Sequence, residues 1–216
     1  MNALSREDWQ AYSEAFAFVG STLLAPLSQT RGPQLEPEFW RAFPNFGSMA
    51  VEEALESMAA CVAGIVEHPE IDPVTDVSVE YTRLFVGPPR PAAAPWETMH
   101  RGGGTNVGFG QATHEMRELM RAAGVTLARV NKQYEDHMGL ELLYLSVVCA
   151  NHASGGDEPP FDEDSIIGFV RDHPMAWIDK LAVSVAEAAR GGFFAHLLAI
   201  EKALLERFVD ETASQG

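Results

Sequence analysis

The sequence predicts an all-α protein, in which about nine helices form a single compact domain over residues 1–216. Apolar residues recur at spacings of three and four along nearly the whole chain, which is the period of a helix with one buried face. No stretch alternates between apolar and polar residues as a half-buried strand does. Hydrophobic residues make up 46% of the 216 residues, enough for a sizeable core.

The first four predicted helices are defined by apolar stripes and by the residues at their ends. The first follows Ser5, a preferred N-cap residue, and stops before Pro26. A short helix at PEFWRAF and a third helix come next, and the Asp72-Pro73 pair starts the fourth. Their inward positions are Trp9, Tyr12, Phe16, Val19 and Leu23, then Val51, Leu55, Met58, Val62 and Ile65, then Val77, Tyr81, Leu84 and Phe85.

Residues 87–108 interrupt the helical pattern with a long Pro/Gly-rich loop. The stretch contains four prolines and then three consecutive glycines, neither of which suits a helix interior. Loops of this length in compact domains are usually functional or disordered, and Trp96 in its middle argues against pure disorder. Either Trp96 pins the loop onto the core, or it presents an apolar surface to a partner.

Five further helices follow from about residue 109 onward. Gly124 suits the end of the first of them, and Gly191-Gly192 separates the last two. The predicted inward positions are Ala112, Met116, Leu119 and Ala123; Met138, Leu142, Leu145 and Cys149; a short helix near 162–171; Trp177, Leu181 and Val185 after Pro174; and Phe193, Leu197, Ile200, Leu204 and Phe208.

The charge balance limits the classes of partner. The chain has 31 acidic and 15 basic residues, a formal net charge of −16, which argues against general nucleic-acid binding and favours a cationic partner or simply solubility. The two cysteines, Cys61 and Cys149, are far apart and predicted to be buried free thiols, as is typical of a reducing cytoplasm. The N-terminal residues show no secretory signal, and no apolar run is long enough for a membrane span.

Residues 134–145, YEDHMGLELLYL, contain groups that could serve metal binding or proton transfer. His137 and Glu141 lie on one helical face, but a zinc site needs three or four protein ligands and no second cluster has matching spacing. Asp136 and His137 could act as acid and base, yet no nucleophile motif accompanies them. Alternatively, Glu135 and Asp136 complement a helix dipole. The glycine run lacks the Gly-Lys-Ser/Thr of a phosphate loop. We therefore expect no catalytic residue, cofactor or metal.

Two segments resemble the signatures of the TorD/DmsD family of cytoplasmic redox-enzyme maturation chaperones. These segments are EYTRLFVGPPRPAAAPWETMH at 80–100 and EDHMGLELLYLSVV at 135–148, and the helices that follow contain a similar His-x-x-x-Trp motif at His173 and Trp177. Departures from the family pattern concern partner specificity more than family membership, and they lie at Thr98, Met99, His100, Tyr134, Phe193 and Phe194.

The resemblance implies a non-enzymatic chaperone that binds the twin-arginine leader, the apo-form, or both, of a molybdopterin oxidoreductase in the cytoplasm and assists its maturation before export. In such a chaperone Trp96 and Phe85 would contact the leader's apolar stretch, while Asp136, Glu141 and Glu97 would attract its arginines. The residues implied to line the peptide groove are Tyr81, Leu84, Phe85, Gly87, Pro95, Trp96, Glu97, Asp136, His137 and Glu141.

Two alternatives stay open at the level of sequence. One is an assembly chaperone for a nitrate-reductase-like catalytic subunit, and the other is a metal-dependent helical enzyme that uses Asp136, His137 and Glu141. The glycine-rich hinges are compatible with a domain-swapped homodimer as well as a monomer. Weak guanine-nucleotide binding is suggested for the family, but the sequence locates no site for it. His137 could touch the leader or hold the start of its helix.

Overall fold

The computed structural model describes residues 4–30, 32–67, 71–101, 108–125, 133–155 and 161–213. Within these ranges the chain forms nine α-helices and no β-strand, so the predicted all-α class is confirmed. None of the described helices combines the length and the apolarity needed to cross a membrane. The helices are α1 (Arg6–Leu24), α2 (Pro37–Ala42), α3 (Met49–Glu67), α4 (Pro73–Tyr81), α5 (Gln111–Ala122), α6 (Met138–Ser154), α7 (Glu163–Asp172), α8 (Pro174–Ala188) and α9 (Phe193–Ala213).

The fourth helix differs in detail from its prediction. Its start is as expected, because the Asp72 carboxylate accepts a hydrogen bond from the backbone N–H of Thr75. After Tyr81 the backbone widens into a π-helical turn over Thr82–Val86. Gly87 then ends the helix with a φ of 99°, where a β-carbon would lie only 2.7 Å from the backbone of Arg90. Only glycine fits this turn without strain.

The described chain divides into two compact units, each assembled from separate segments. Unit 1 comprises Met1–Leu24, Pro95–Trp177 and Phe208–Gly216, and unit 2 comprises Ala25–Ala94 and Ile178–Arg207. The two units do not test whether the chain is a single domain over residues 1–216, so that expectation stays a prediction.

Unit 1 is organised by the packing of α1 against α6. The two helices approach closely where Gly20 meets Gly139, since a β-carbon on either glycine would lie within 2.8 Å of the other's carbonyl oxygen. The ring of Phe208, from the end of α9, makes edge contacts with Trp9, Tyr12 and Phe16 on the inner face of α1. These aromatic contacts explain the predicted inward stripe of α1.

In unit 2 the start of α9 is held by a carboxylate. Glu80 accepts hydrogen bonds from the backbone N–H groups of Phe193 and Phe194, each at 3.1 Å. These are unsatisfied donors at a helix N-terminus, so the negative charge also complements the helix dipole. Burial raises the pKa of Glu80, while the two hydrogen bonds oppose that rise. Nearby, Cys61 is only partly buried, which corrects the prediction of two buried thiols; Cys149 is fully buried.

Glu201 is the exception in the core of unit 2. The residue is fully buried on α9, and neither carboxylate oxygen has a hydrogen-bond partner within the described part of the chain. Helical spacing places it beside four leucines that are themselves buried, at 197, 198, 204 and 205. Burial therefore raises the pKa of Glu201 well above its usual range.

We predict that Glu201→Gln makes the protein more stable at neutral and alkaline pH. A carboxyl with a raised folded-state pKa contributes its full stability below the unfolded pKa and loses it as pH rises through the folded value. The free energy of unfolding of the native protein should therefore fall between about pH 5 and pH 8, and the variant should lack this component. Denaturant titrations at both pH values measure the difference.

Glu206→Gln provides the matched control, because Glu206 is exposed on the same helix. It should change the free energy of unfolding by no more than about 0.5 kcal/mol at either pH. An unchanged pH dependence in Glu201→Gln would contradict the assignment of a buried carboxyl with a raised pKa.

Candidate functional site

The two signature segments meet in unit 1 through their backbones. The carbonyl oxygen of Pro95 accepts a hydrogen bond from Met138 N at 3.0 Å, and Glu97 N donates to the carbonyl oxygen of Asp136 at 2.9 Å. Trp96 and His137 thereby form an isolated antiparallel bridge. The proline-rich loop is thus fixed beside the start of α6, although the two segments lie about forty residues apart in the chain.

The Asp136 carboxylate ties a third segment to this pair. Its Oδ2 accepts a hydrogen bond from Thr98 N, and its Oδ1 accepts one from the Thr113 hydroxyl, both at 2.9 Å. The Thr113 Oγ1 accepts in turn from Gly110 N at 3.1 Å, at the start of α5. Asp136 is fully buried. A buried charge is tolerated only when it is well hydrogen-bonded, so this carboxylate acts as an internal clamp on three segments.

His137 is the N-cap of α6. Its Nδ1 accepts a hydrogen bond from Gly139 N at 3.0 Å, which satisfies one of the free donors at the start of the helix. Burial lowers the pKa of His137 to about 3, so the ring is neutral at physiological pH. With Nδ1 accepting, the ring proton lies on Nε2, which finds no partner within the described residues. Of the two roles left open by the sequence, this geometry is that of a structural cap.

A second buried network joins three family motifs. Glu97 Oε2 lies 2.9 Å from His173 Nδ1, and Glu97 Oε1 lies 2.9 Å from the Arg101 guanidinium as an ion pair. Glu141 Oε2 accepts a hydrogen bond from Trp177 Nε1 at 3.1 Å. The Pro-Trp-Glu loop, the Asp-His segment and the His-x-x-x-Trp helix therefore converge on two buried carboxylates.

Of the residues that the structure describes, this network contains the group best placed to hold a metal. One ligand atom from each of Glu97, Glu141 and His173 lies within 4.8 Å of the other two. Two carboxylates and an imidazole form a donor set that suits a divalent transition metal. The sequence pattern indicated His137 and Glu141 as the possible metal ligands instead. The His137 Nδ1 is engaged in capping, so it does not join this set.

Partly exposed aromatic rings cover the outside of this scaffold. Tyr134 packs edge-to-face against Trp96 at 6.2 Å between ring centroids and against Phe109 at 5.6 Å. Tyr134 and Phe109 keep 38% and 39% of their surface exposed, and Trp96 is partly exposed. The Arg117 guanidinium lies over the Phe109 ring and pairs with both oxygens of Glu135 at 2.8 and 2.9 Å. We call Trp96, Tyr134 and Phe109 the aromatic surface.

Sequence reasoning did not select Tyr134 or Phe109. Tyr134 was noted only as a departure from the family pattern, and Phe109 lies just before α5, outside its predicted inward stripe. The sequence does contain a signal for each of these residues. A large aromatic residue outside the buried stripe of a helix must be exposed or packed in a loop.

The ten predicted groove residues fall into two sets. Unit 1 brings together Pro95, Trp96, Glu97, Asp136, His137 and Glu141 as described above. In unit 2, Leu84 is buried, and Tyr81 and Phe85 are buried against the ring of Phe194, at centroid distances of 5.7 and 5.2 Å. Gly87 ends the π-helical turn that carries them. The shared peptide groove stays a prediction.

The model of the nitrate reductase delta subunit family matches residues 47–183. The chain belongs to this family. The match includes both signature segments, so the resemblance to TorD/DmsD-type chaperones is confirmed. Members of the family are chaperones for molybdoenzyme maturation and are not catalytic, which argues against the metal-dependent enzyme considered above. A comparison with curated proteins finds no match.

We predict that Asp136→Asn lowers the free energy of unfolding by about 1–3 kcal/mol. The amide keeps one acceptor oxygen but turns an NH2 group toward a second donor, so a buried donor loses its partner. Chemical denaturation followed by circular dichroism measures the loss. Asp76→Asn, an exposed aspartate in the first turn of α4, is the control and should change stability by less than about 0.5 kcal/mol. Equal stabilities for the two variants would contradict the clamp.

We predict that His137 destabilises the protein in acid. A folded pKa lowered from 6.5 to about 3 means that only the unfolded chain binds the proton between those values, so stability is present above pH 6.5 and is lost as pH falls. This group alone should cost about 2 kcal/mol between pH 7 and pH 5.

His137→Asn tests this prediction, because asparagine can also accept the N-cap hydrogen bond but does not titrate. The measurement is the change in the free energy of unfolding between the two pH values, not its absolute level, so packing losses cancel. If the variant retains the full acid sensitivity, the loss has another origin.

Proposed function

We propose that this protein is a cytoplasmic chaperone that binds the twin-arginine leader of a molybdoenzyme catalytic subunit during its maturation. The single observation that best supports leader binding is the aromatic surface, which lies on a scaffold built from the family's own signature segments. Trp96 and Tyr134 are large rings that remain partly exposed although both contact other aromatic groups. Aromatic residues of this kind dominate the energetics of protein interfaces.

The scaffold beneath the surface favours binding by holding it in place. The backbone of Trp96 is bridged to His137, and Gly108 packs so closely that a β-carbon would lie 3.2 Å from both Trp96 and Tyr134. Rings that are already ordered lose little conformational freedom when a peptide arrives. A leader with a modestly apolar stretch could therefore bind without folding the site first.

Attraction of the leader's arginines has to come from groups other than the three predicted carboxylates. The sequence assigned the attraction of arginines to Asp136, Glu141 and Glu97, but all three are fully buried and bonded within the protein. We therefore assign the attraction to the net charge of −16, which acts at longer range on a cationic leader. Direct contact between the three carboxylates and the leader would require the network to open.

A second candidate function is favoured by the description of the matching family. The family is described as the nitrate reductase delta subunit. An assembly chaperone for a nitrate-reductase-like enzyme would bind the catalytic subunit at surfaces other than a leader. Calorimetry with the leader peptide alone and with the subunit lacking its leader separates the two functions. Binding of the truncated subunit but not of the peptide would favour assembly of the mature subunit.

We predict that Trp96→Ala weakens leader binding by about 30-fold, a hot-spot loss of about 2 kcal/mol, and that Tyr134→Ala weakens it by about fivefold. The probe is a synthetic twin-arginine leader peptide of a molybdoenzyme catalytic subunit, and its affinity is measured by calorimetry. Val183→Ala, at an apolar side chain that is 57% exposed in unit 2, is the control and should bind normally. Full affinity in both aromatic variants would rule out the aromatic surface as the leader site.

A further inference from the structure

Unit 1 contains an apolar cavity that the function proposed above does not use. It has a volume of about 210 Å³ and opens between α5, α6 and α7. Its walls include two aromatic rings in edge contact, Tyr144 and Phe169, whose centroids lie 4.7 Å apart. The other apolar walls are Leu119, Leu145, Val148, Phe161 and Ile166, and Ser165 is a polar residue of the lining.

The size and chemistry of the cavity suit one bulky apolar side chain. An apolar cavity of about 150 Å³ is large enough to bind benzene, so this one has room for the side chain of leucine or phenylalanine. The walls are rigid, because Tyr144 and Phe169 are buried in α6 and α7 and the Phe161 carbonyl at the rim is 2.8 Å from His152 Nε2. Binding in an ordered apolar pocket is favoured by the free energy of transferring the apolar group from water into the pocket.

The cavity adjoins an acidic stretch of sequence at the start of α7. Phe161 and Ser165 lie at the lining, and the three residues between them are carboxylates: Asp162, Glu163 and Asp164. None of the three forms an ion pair within the described residues. The Asp162 carboxylate caps α7 by accepting a hydrogen bond from Ser165 N at 2.8 Å. The helix N-terminus offsets only about half an elementary charge, so this stretch stays negative.

We infer that this cavity is a second subsite for the client's leader, an inference that rests on the proposed function. The subsite takes one side chain of the size of leucine or phenylalanine, and that side chain is flanked in the leader by arginine or lysine. The carboxylates are adjacent in sequence to the lining residues, so a basic residue one to three positions from the apolar anchor in an extended peptide would reach them. The cationic and apolar parts of a leader supply this combination. The subsite is built from α5, α6 and α7, whereas the aromatic surface is built from the loops before α5 and α6.

The test uses three labelled peptides of equal length and measures their affinity by fluorescence anisotropy. The first contains two arginines and one phenylalanine within five residues, the second has the phenylalanine replaced by alanine, and the third has both arginines replaced by glutamine. Wild-type protein should bind the first peptide about tenfold or more tightly than the second, and salt should weaken the first but not the third.

Two variants at one position fill or enlarge the cavity. Leu119→Trp should abolish the preference for the phenylalanine peptide, whereas Leu119→Ala should improve binding of a fourth peptide, in which tryptophan replaces the phenylalanine of the first. Because Leu119 is partly exposed, both variants should fold, and thermal denaturation checks this. Asp164→Asn should weaken the arginine peptide by about two- to fivefold, while Glu53→Gln, an exposed control on α3, should not.

The outcomes separate the two proposals. If Leu119→Trp and Leu119→Ala keep the wild-type preferences while Trp96→Ala loses leader binding, the cavity is not a subsite and the proposed function stands. If the wild-type protein binds neither these peptides nor the leader, both proposals fail. Loss of the phenylalanine preference in Leu119→Trp, with leader binding otherwise intact at the aromatic surface, supports the subsite.

Discussion

The hydrogen bonds of the Asp136 carboxylate are the constraint on which the rest of the site depends. A charge with no exposed surface must be solvated by the protein, and here a backbone N–H and a hydroxyl perform that task. Because those donors belong to the proline-rich loop and to α5, the need to solvate one carboxylate fixes the positions of both segments beside α6. The bonds to a charged acceptor are also stronger than neutral ones, so the clamp holds a loop that has little regular structure.

The neighbouring groups follow from this clamp. His137, the next residue, caps α6 and is held neutral by burial, which lets an imidazole lie in the interior without an ion partner. Glu97, one residue beyond Trp96, turns inward to His173 and Arg101. Trp96 is therefore fixed by its neighbours on both sides in a position where its ring meets Tyr134. The buried polar network and the exposed aromatic surface are two faces of one arrangement.

Two glutamates in unit 2 differ in whether their carboxylates have hydrogen-bond partners. Glu80 is partly buried and accepts hydrogen bonds from the free N–H groups at the start of α9, so it helps define where that helix begins. Glu201 is buried among leucines on the same helix and gains no such partner within the described residues. A buried carboxylate without a partner lowers stability at neutral pH, so its presence is a cost that the rest of the unit must offset.

The sequence by itself determined the all-α class, the number of helices and nearly all of their inward faces, since these depend on a local period and on the residues at helix ends. It also identified both signature segments and the family. Only the tertiary structure decided that Asp136, Glu97 and Glu141 face inward as bonded groups. A charged residue near a hydrophobic surface has the same sequence pattern whether its partners are a peptide or a distant threonine. Tyr134, Phe109 and the cavity beside α7 depend on contacts between segments far apart in the chain, which no local period encodes.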